Sequence, residues 1–564
     1  MTSTTSLVVF IAALTLVACQ GTASKTKSTS KDWCISGGTI YTANDANTII
    51  EAVAVRDGKI SYAGPNTGEW CLSNSQTQTI DLAGAAMYPG FTDAHGHLLG
   101  IGLREMTLNL EGTKSIAELK ERLAAAVTTT PDGETVFGRG WIETHWPEKR
   151  FPNREDLDEV APNNPVILVR ADGHAAVINS AAMKAAGITK KTQSPFGGAI
   201  NKNAAGEPNG MLIDYAIDLV EDLLPSLTEA RKEEAYIKGA ALYASRGWTN
   251  IHSMSVIPAD VPMLNRLAAE GKIKIRVYNS LDVLDKQIMG KMKAMDTVED
   301  DQIITRAIKL YADGALGSRG AALLAPYSDD EKNEGLMLMK DEQARSILQA
   351  ALRNGTQVNT HAIGDKANRL VLDWYEDAFT SVPKSEWSNP DPRWRIEHSQ
   401  IIDVADIPRF AELGVIPSMQ PSHAIGDLHF AVDRLGPNRL AGAYAWQALI
   451  DSGAIIAGGS DAPVEVGDPR IEFYAATQRM DLQGYSNENW NREQRVSAES
   501  ALKMFTAWPA YAAFEENVLG TIEVGKAADF TAFDRDIMTA SADDVLTAKV
   551  EFTMVGGDMA YQAK

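Results

Sequence analysis

Residues 91–100 read "FTDAHGHLLG" and close an apolar run that starts at Met87. In an extended strand, positions i and i+2 share a face, so His95 and His97 point the same way with only Gly96 between them. Two imidazoles on one face make half of a metal site, because zinc takes about four ligands. The others must come from elsewhere in a chain with nine histidines.

Working outward, short apolar runs recur downstream, each followed by a polar loop and a helical stretch: "GWTNIHSM" (247–254), "IRVYNSL" (275–281), "AIKLYADGA" (307–315), "QVNTHAIGD" (357–365), "WRIEHSQ" (394–400), "GVIPSMQPSH" (414–423) and "AIIAGGSDAP" (454–463). Segments such as "DEQARSILQAALRNG" (341–355) carry helical periodicity between them. Strand–helix alternation implies parallel βα units, and with the opening stretch there are eight, which predicts an α/β fold, a TIM (β/α)8 barrel. From His97 to Lys309 there are 212 residues. At roughly 30 residues per barrel unit this leaves an insertion of about 100, near 110–235, expected over the barrel mouth.

Both ends differ from the middle. Residues 33–86 and 510–564 are rich in short strands and turns, with Asp57-Gly58 as a hairpin signal, and predict a small β-sandwich domain built from both termini around a barrel at 87–509. Residues 7–18, "LVVFIAALTLVA", are too few to span a bilayer and end at Cys19, so 1–18 read as a signal peptide. Leu16-Val17-Ala18-Cys19 resembles a bacterial lipobox, although the first six residues lack the usual Lys or Arg. Residues 19–32 suit a lipidated tether, Gln20 leans toward the outer membrane, and the expected location is the periplasm, with the lipid anchor as the sole membrane contact. In that oxidising compartment Cys34 and Cys71 either pair or stay free; their spacing does not decide. The formal net charge of −21 argues against nucleic acid and against an electrostatic grip on anionic lipid.

Read in order, the strand ends carry His95 and His97, then Lys309, His361, His398 and Asp461. One histidine at such a place is usually a packed core residue; six ligand-type residues at the catalytic ends of barrel strands are not explained by packing.

At this point the chain resembles the amidohydrolase superfamily of metal-dependent hydrolases, through "PGFTDAHGH", "GTIEVGKAADF" (520–530) and the β-rich ends. "IKLYADGALGSRGAAL", "NTHAIGDKA", "IEHSQ" and "GGSDAPV" resemble the family 3 branch, similar to the N-substituted formamide deformylases. The resemblance implies two divalent metal ions, zinc being the first candidate, held by His95, His97, Lys309, His361, His398 and Asp461. It implies a carboxylated Lys309 bridging the pair, since a free ammonium beside two cations would be repelled. A single ion, with Lys309 in a salt bridge, is the alternative. It also implies that Asp461 is the catalytic acid and base as well as a ligand.

Further candidates for substrate contact are Asp172 and His174 in the insertion, Trp141 in "GRGW", Asp313 and Arg319 after the lysine strand, and His423 after strand seven. The alternatives are a plain loop for His174, core packing for Trp141 and a local ion pair for Arg319. His252 ends an early strand without a ligand role, and His145 and His429 read as surface residues. The expected activity is hydrolysis of a C–N bond in a small-molecule non-peptide amide: an N-acyl or N-formyl amine, or a cyclic amide. A lactone or acyl-dipeptide hydrolase, or a non-catalytic ligand-binding lipoprotein on the same fold, is the alternative. Homo-oligomerisation is left open.

Overall fold

The eight apolar runs become eight parallel strands because each is buried on both faces, against the barrel interior and against its helices. In this computed structural model, which describes residues 31–71, 77–143, 146–171, 173, 175–195, 198–224, 227–282, 302–487 and 490–564, they are β1 (Phe91–Gly96), β2 (Trp248–Val256), β3 (Arg276–Asp282), β4 (Ile303–Tyr311), β5 (Gln357–Ala362), β6 (Arg395–His398), β7 (Ile416–Met419) and β8 (Ala457–Gly458). They pair in sequence order from β1 to β8. The seam between β8 and β1 is drawn together by the Asp461 N–H, which donates to the His95 carbonyl at 2.6 Å. Asp93 reinforces it, accepting from Ser460 N–H (2.9 Å), Ser460 Oγ (2.6 Å) and Tyr243 Oη (2.8 Å). The result is a nearly closed TIM-like barrel.

The helix Asp341–Asn354 shows why the outer ring forms. Ala344, Ile347, Leu348, Ala351 and Leu352 are buried at helical spacing, and Gly355, at φ 70°, ends it in the left-handed region. Each fully buried Leu or Ile there contributes roughly 1.5–3 kcal/mol. Two small residues set another contact. Gly102 in the helix Leu98–Arg104 lies so close to the helix Glu229–Arg246 that a Cβ would sit 1.7 Å from the Ala235 oxygen.

In chain order, the segment between those two helices builds a separate six-stranded sheet, spanning Leu108–Asn109 to Pro208–Asp214. The helix Glu229–Arg246 packs on the barrel, so the inserted segment stops short of residue 235.

Strands from both chain ends, Trp33–Tyr41 through Ala86–Pro89 and Phe530–Phe533 through Asp558–Gln562, join in one eight-stranded sheet. The pairing follows a single path with one side branch, and a separate apolar core that includes Ile35, Val53, Met87 and Phe530 packs within it. Ala86–Pro89 pairs with Phe530–Phe533, which stitches the two ends together. Arg276 of β3 forms a buried ion pair with Asp529, Nε to Oδ2 at 2.7 Å, tying this sheet to the barrel. Cys34 and Cys71 form a disulfide. Among the described residues no helix is long and apolar enough to cross a membrane. The signal segment, Cys19, His145, Asp172 and His174 lie outside the described residues.

Candidate metal centre

The C-terminal ends of the barrel strands converge on a cavity of about 450 Å³. His95, near the end of β1, is fully buried, and His97, just past it, opens to the cavity. Both reach one oxygen: Asp461 Oδ1 lies 3.1 Å from His97 Nε2 and 3.5 Å from His95 Nε2. His398 ends β6 with its ring centroid 4.8 Å from that of His95 and 4.6 Å from that of His361. One ligand atom each from His95, His398 and Asp461 lies within 4.8 Å of the others. The Lys309 Nζ is buried beside them, 3.4 Å from His95 Nε2.

Two of these residues carry backbone strain. His398 has φ 74° and Asp461 φ 60°, a region that L side chains seldom occupy, with a cost of order 1–3 kcal/mol each. Such strain concentrates where side-chain aim matters more than local comfort.

The electrostatics favour metal ligation over protonation. Burial, with Lys309 adding to it, brings His95 down to about 4, and burial brings His361 down to about 3, so both imidazoles are neutral at pH 7 with lone pairs to offer. Burial likewise pulls the Lys309 ammonium down to about 8. Burial pushes Asp461 up, but the His97 hydrogen bond and the neighbouring imidazoles outweigh it and hold the carboxyl ionised. The buried His361 Nε2 lies 3.4 Å from Asp313 Oδ1 without a hydrogen bond among the described residues. The donor set, imidazole nitrogens with a carboxylate, suits zinc or a similar divalent ion.

The insertion closes one side of the cavity with Glu111, Ile142 and Arg170; Tyr311, Leu316 and Phe430 supply apolar wall. His423 lines it too, with Nε2 3.5 Å from Asp461 Oδ2. A hollow of about 540 Å³ near the starts of β7 and β8 is lined by residues such as Val415, Ile455 and Trp508, and among the described residues it holds no cluster of metal-ligand side chains.

Three residues expected to touch substrate do something else. Trp141 is fully buried and its indole N–H donates to the Leu168 carbonyl at 2.8 Å, so it is core of the inserted sheet. Asp313 is buried and accepts from the backbone N–H groups of Ile363 (2.9 Å), Gly364 (2.8 Å) and Ala322 (2.8 Å), pinning two loops together. Its burial raises it to about 7 against those three donors. Arg319 pairs with Asp329, Nη2 to Oδ2 at 2.9 Å, and lines a neighbouring cleft outside the metal cavity. His429 is half-buried, 3.0 Å from Asp481, where an exposed residue was expected.

Sequence reasoning missed Glu397 and Arg395, both with no exposed surface. Glu397 Oε2 receives His95 Nδ1 at 2.5 Å. The signal was present in "RIEH", where alternate positions of one strand carry opposite charges facing the barrel interior.

The sequence pattern of the amidohydrolase family matches residues 78–561. The chain belongs to the amidohydrolase family. This amidohydrolase is 31% identical over 532 residues to YtcJ of Bacillus subtilis, covering 93% of this chain and 98% of that one. It is 27% identical to the N-substituted formamide deformylase of Arthrobacter pascens, over 94% of this chain and 98% of that enzyme. Among solved structures, an uncharacterized metal-dependent hydrolase of Pyrococcus horikoshii superposes with a TM-score of 0.73 at 26% identity, covering 91% of this chain and 99% of that one.

Proposed function

We propose that this amidohydrolase is a metal-dependent hydrolase that cleaves the C–N bond of a non-peptide amide: an N-formyl or N-acyl amine, or a cyclic amide. The observation that carries the reading is the shared Asp461 Oδ1, reached by both His97 and His95 beside His398 and the buried Lys309. The resemblance to a formamide deformylase along nearly the whole chain supports the bond type.

His95, His97, His361, His398 and Asp461 would hold one or two divalent ions, zinc first among them, with Lys309 bridging after carboxylation. The lowered ammonium supports that modification, since the neutral amine is the form that combines with CO2. A divalent ion bound there supplies Lewis-acid polarisation of a carbonyl and brings the pKa of water toward neutrality. The chain's own contribution is proton handling. Asp461, ionised and buried, takes the proton released as water adds to the carbonyl carbon. It returns that proton to the amide nitrogen as the C–N bond breaks, leaving a carboxylic acid and an amine. His423 Nε2 lies 3.5 Å from Asp461 Oδ2 on the cavity side, where it would meet the substrate. Tyr311, Leu316 and Phe430 pack the apolar part of the substrate and exclude water.

The run ending at Cys19 makes export and lipidation part of the proposal, and the Cys34–Cys71 disulfide suits an oxidising compartment. The test is metal content followed by turnover. Protein lacking residues 1–19, purified without chelator, is expected to hold one to two zinc equivalents and to release amine from an N-formyl or N-acyl amine. Stripping the metal should abolish release and zinc should restore it. Absence of bound metal after incubation with zinc and bicarbonate would overturn the reading.

A further inference from the structure

The interior of a TIM barrel is ordinarily filled by layers of branched apolar side chains. Here one layer is charged. Arg395 and Glu397, two residues apart on β6, are both fully buried. Arg395 Nε lies 2.8 Å from Glu397 Oε1 and Nη2 lies 3.0 Å from Oε2. The same guanidinium donates to the Ala94 carbonyl of β1 (2.6 Å), to Ser418 Oγ of β7 (2.8 Å) and to His252 Nδ1 of β2 (2.8 Å). Four strands therefore hold one cation, and that cation holds one carboxylate.

Burying such a pair costs several kcal/mol per ion before their attraction is counted, and apolar replacements of equal volume are often as stable. Stability alone does not explain its presence. The carboxylate's remaining contact does: Glu397 Oε2 meets His95 Nδ1 at 2.5 Å, on the side of the ring opposite the metal cluster. A carboxylate flanked by a guanidinium accepts and does not donate, so the proton of the neutral imidazole belongs on Nδ1. The lone pair is then on Nε2, the atom 3.4 Å from Lys309 Nζ and 3.5 Å from Asp461 Oδ1.

We infer that Glu397, clamped by Arg395, is a positioning residue that fixes His95 in its Nδ1–H tautomer and aims Nε2 into the metal centre. The inference rests on the metal-site reading above. It assigns Arg395 the further task of holding the Glu397 carboxylate in place, with both of its oxygens within 3.0 Å of the guanidinium.

Two measurements test it. In metal-free wild-type protein labelled with 15N-histidine, the His95 ring signals, assigned by their loss in His95→Asn, should report a proton on Nδ1; a proton on Nε2 would overturn the inference. Zinc affinity, read by competition with a chelating dye, should fall 10–100-fold in Glu397→Gln. Affinity within threefold of wild type would also overturn it. If Glu397→Gln fails to fold, the wild-type tautomer decides alone. If wild-type protein takes up no zinc, the proposed function falls, while the tautomer still answers for Glu397.

Discussion

Replacing Asp461 by asparagine keeps the side chain's volume and one oxygen, so the 3.1 Å contact with His97 Nε2 can persist. What disappears is the negative charge and the capacity to take up a proton. Asp461 is 7% exposed and two of its neighbours, His95 and His361, are held neutral by burial, so among them no group takes over its charge. General acid–base catalysis contributes roughly 10²–10⁴-fold, and at about 1.36 kcal/mol per decade the transition state loses about 3–5 kcal/mol. Since His95, His97, His361 and His398 remain, zinc should still bind, and the variant should be assayed at saturating zinc. The assay is amine release from the best N-formyl or N-acyl amine, with metal content measured on the same sample. The expected result is kcat down 10²–10⁴-fold with KM within about threefold, because the lost interaction belongs to the transition state. Retention of more than a tenth of the wild-type rate at full zinc occupancy would refute the role given to Asp461.

Trp141→Phe should cost about 2 kcal/mol, since it leaves the Leu168 carbonyl without its donor, and should leave KM unchanged; a tenfold rise in KM at unchanged stability would return Trp141 to the substrate wall. Gly102→Ala forces a methyl onto the Ala235 oxygen and should destabilise the barrel by about 3 kcal/mol or more, read as a fall in denaturant midpoint. A variant as stable as wild type would mean that the helices Leu98–Arg104 and Glu229–Arg246 do not cross so closely. The pH dependence of metal-free protein follows from His95. Its folded pKa, about 4, lies below the unfolded value of about 6.5, so as pH falls the unfolded chain takes the proton first and stability drops between those limits. The loss is about 1.4 kcal/mol per pH unit, roughly 3 kcal/mol in all, and it should vanish from the pH profile of His95→Asn; an unchanged slope would contradict the burial of a neutral ring.

Much of the architecture was legible before any coordinates. Eight apolar runs set the barrel strands, and ligand-type residues at or just past their ends marked which face carries chemistry, because side-chain alternation and strand length are local properties. The HxH at 95–97 also announced a pair aimed one way, and both rings reach the same Asp461 oxygen. What stayed hidden depended on neighbours distant in sequence. Trp141 in the insertion and Asp313 and Arg319 after the lysine strand are polar-capable residues, and only the fold shows that their partners are Leu168, the 363–364 backbone and Asp329. Glu397 sat unnoticed beside His398, since a carboxylate inside a barrel is intelligible only once Arg395, His95 and four converging strands surround it. Local pattern determines which element a residue joins and which way it faces; closure of the barrel, bringing residue 461 to residue 95, decides what it meets there.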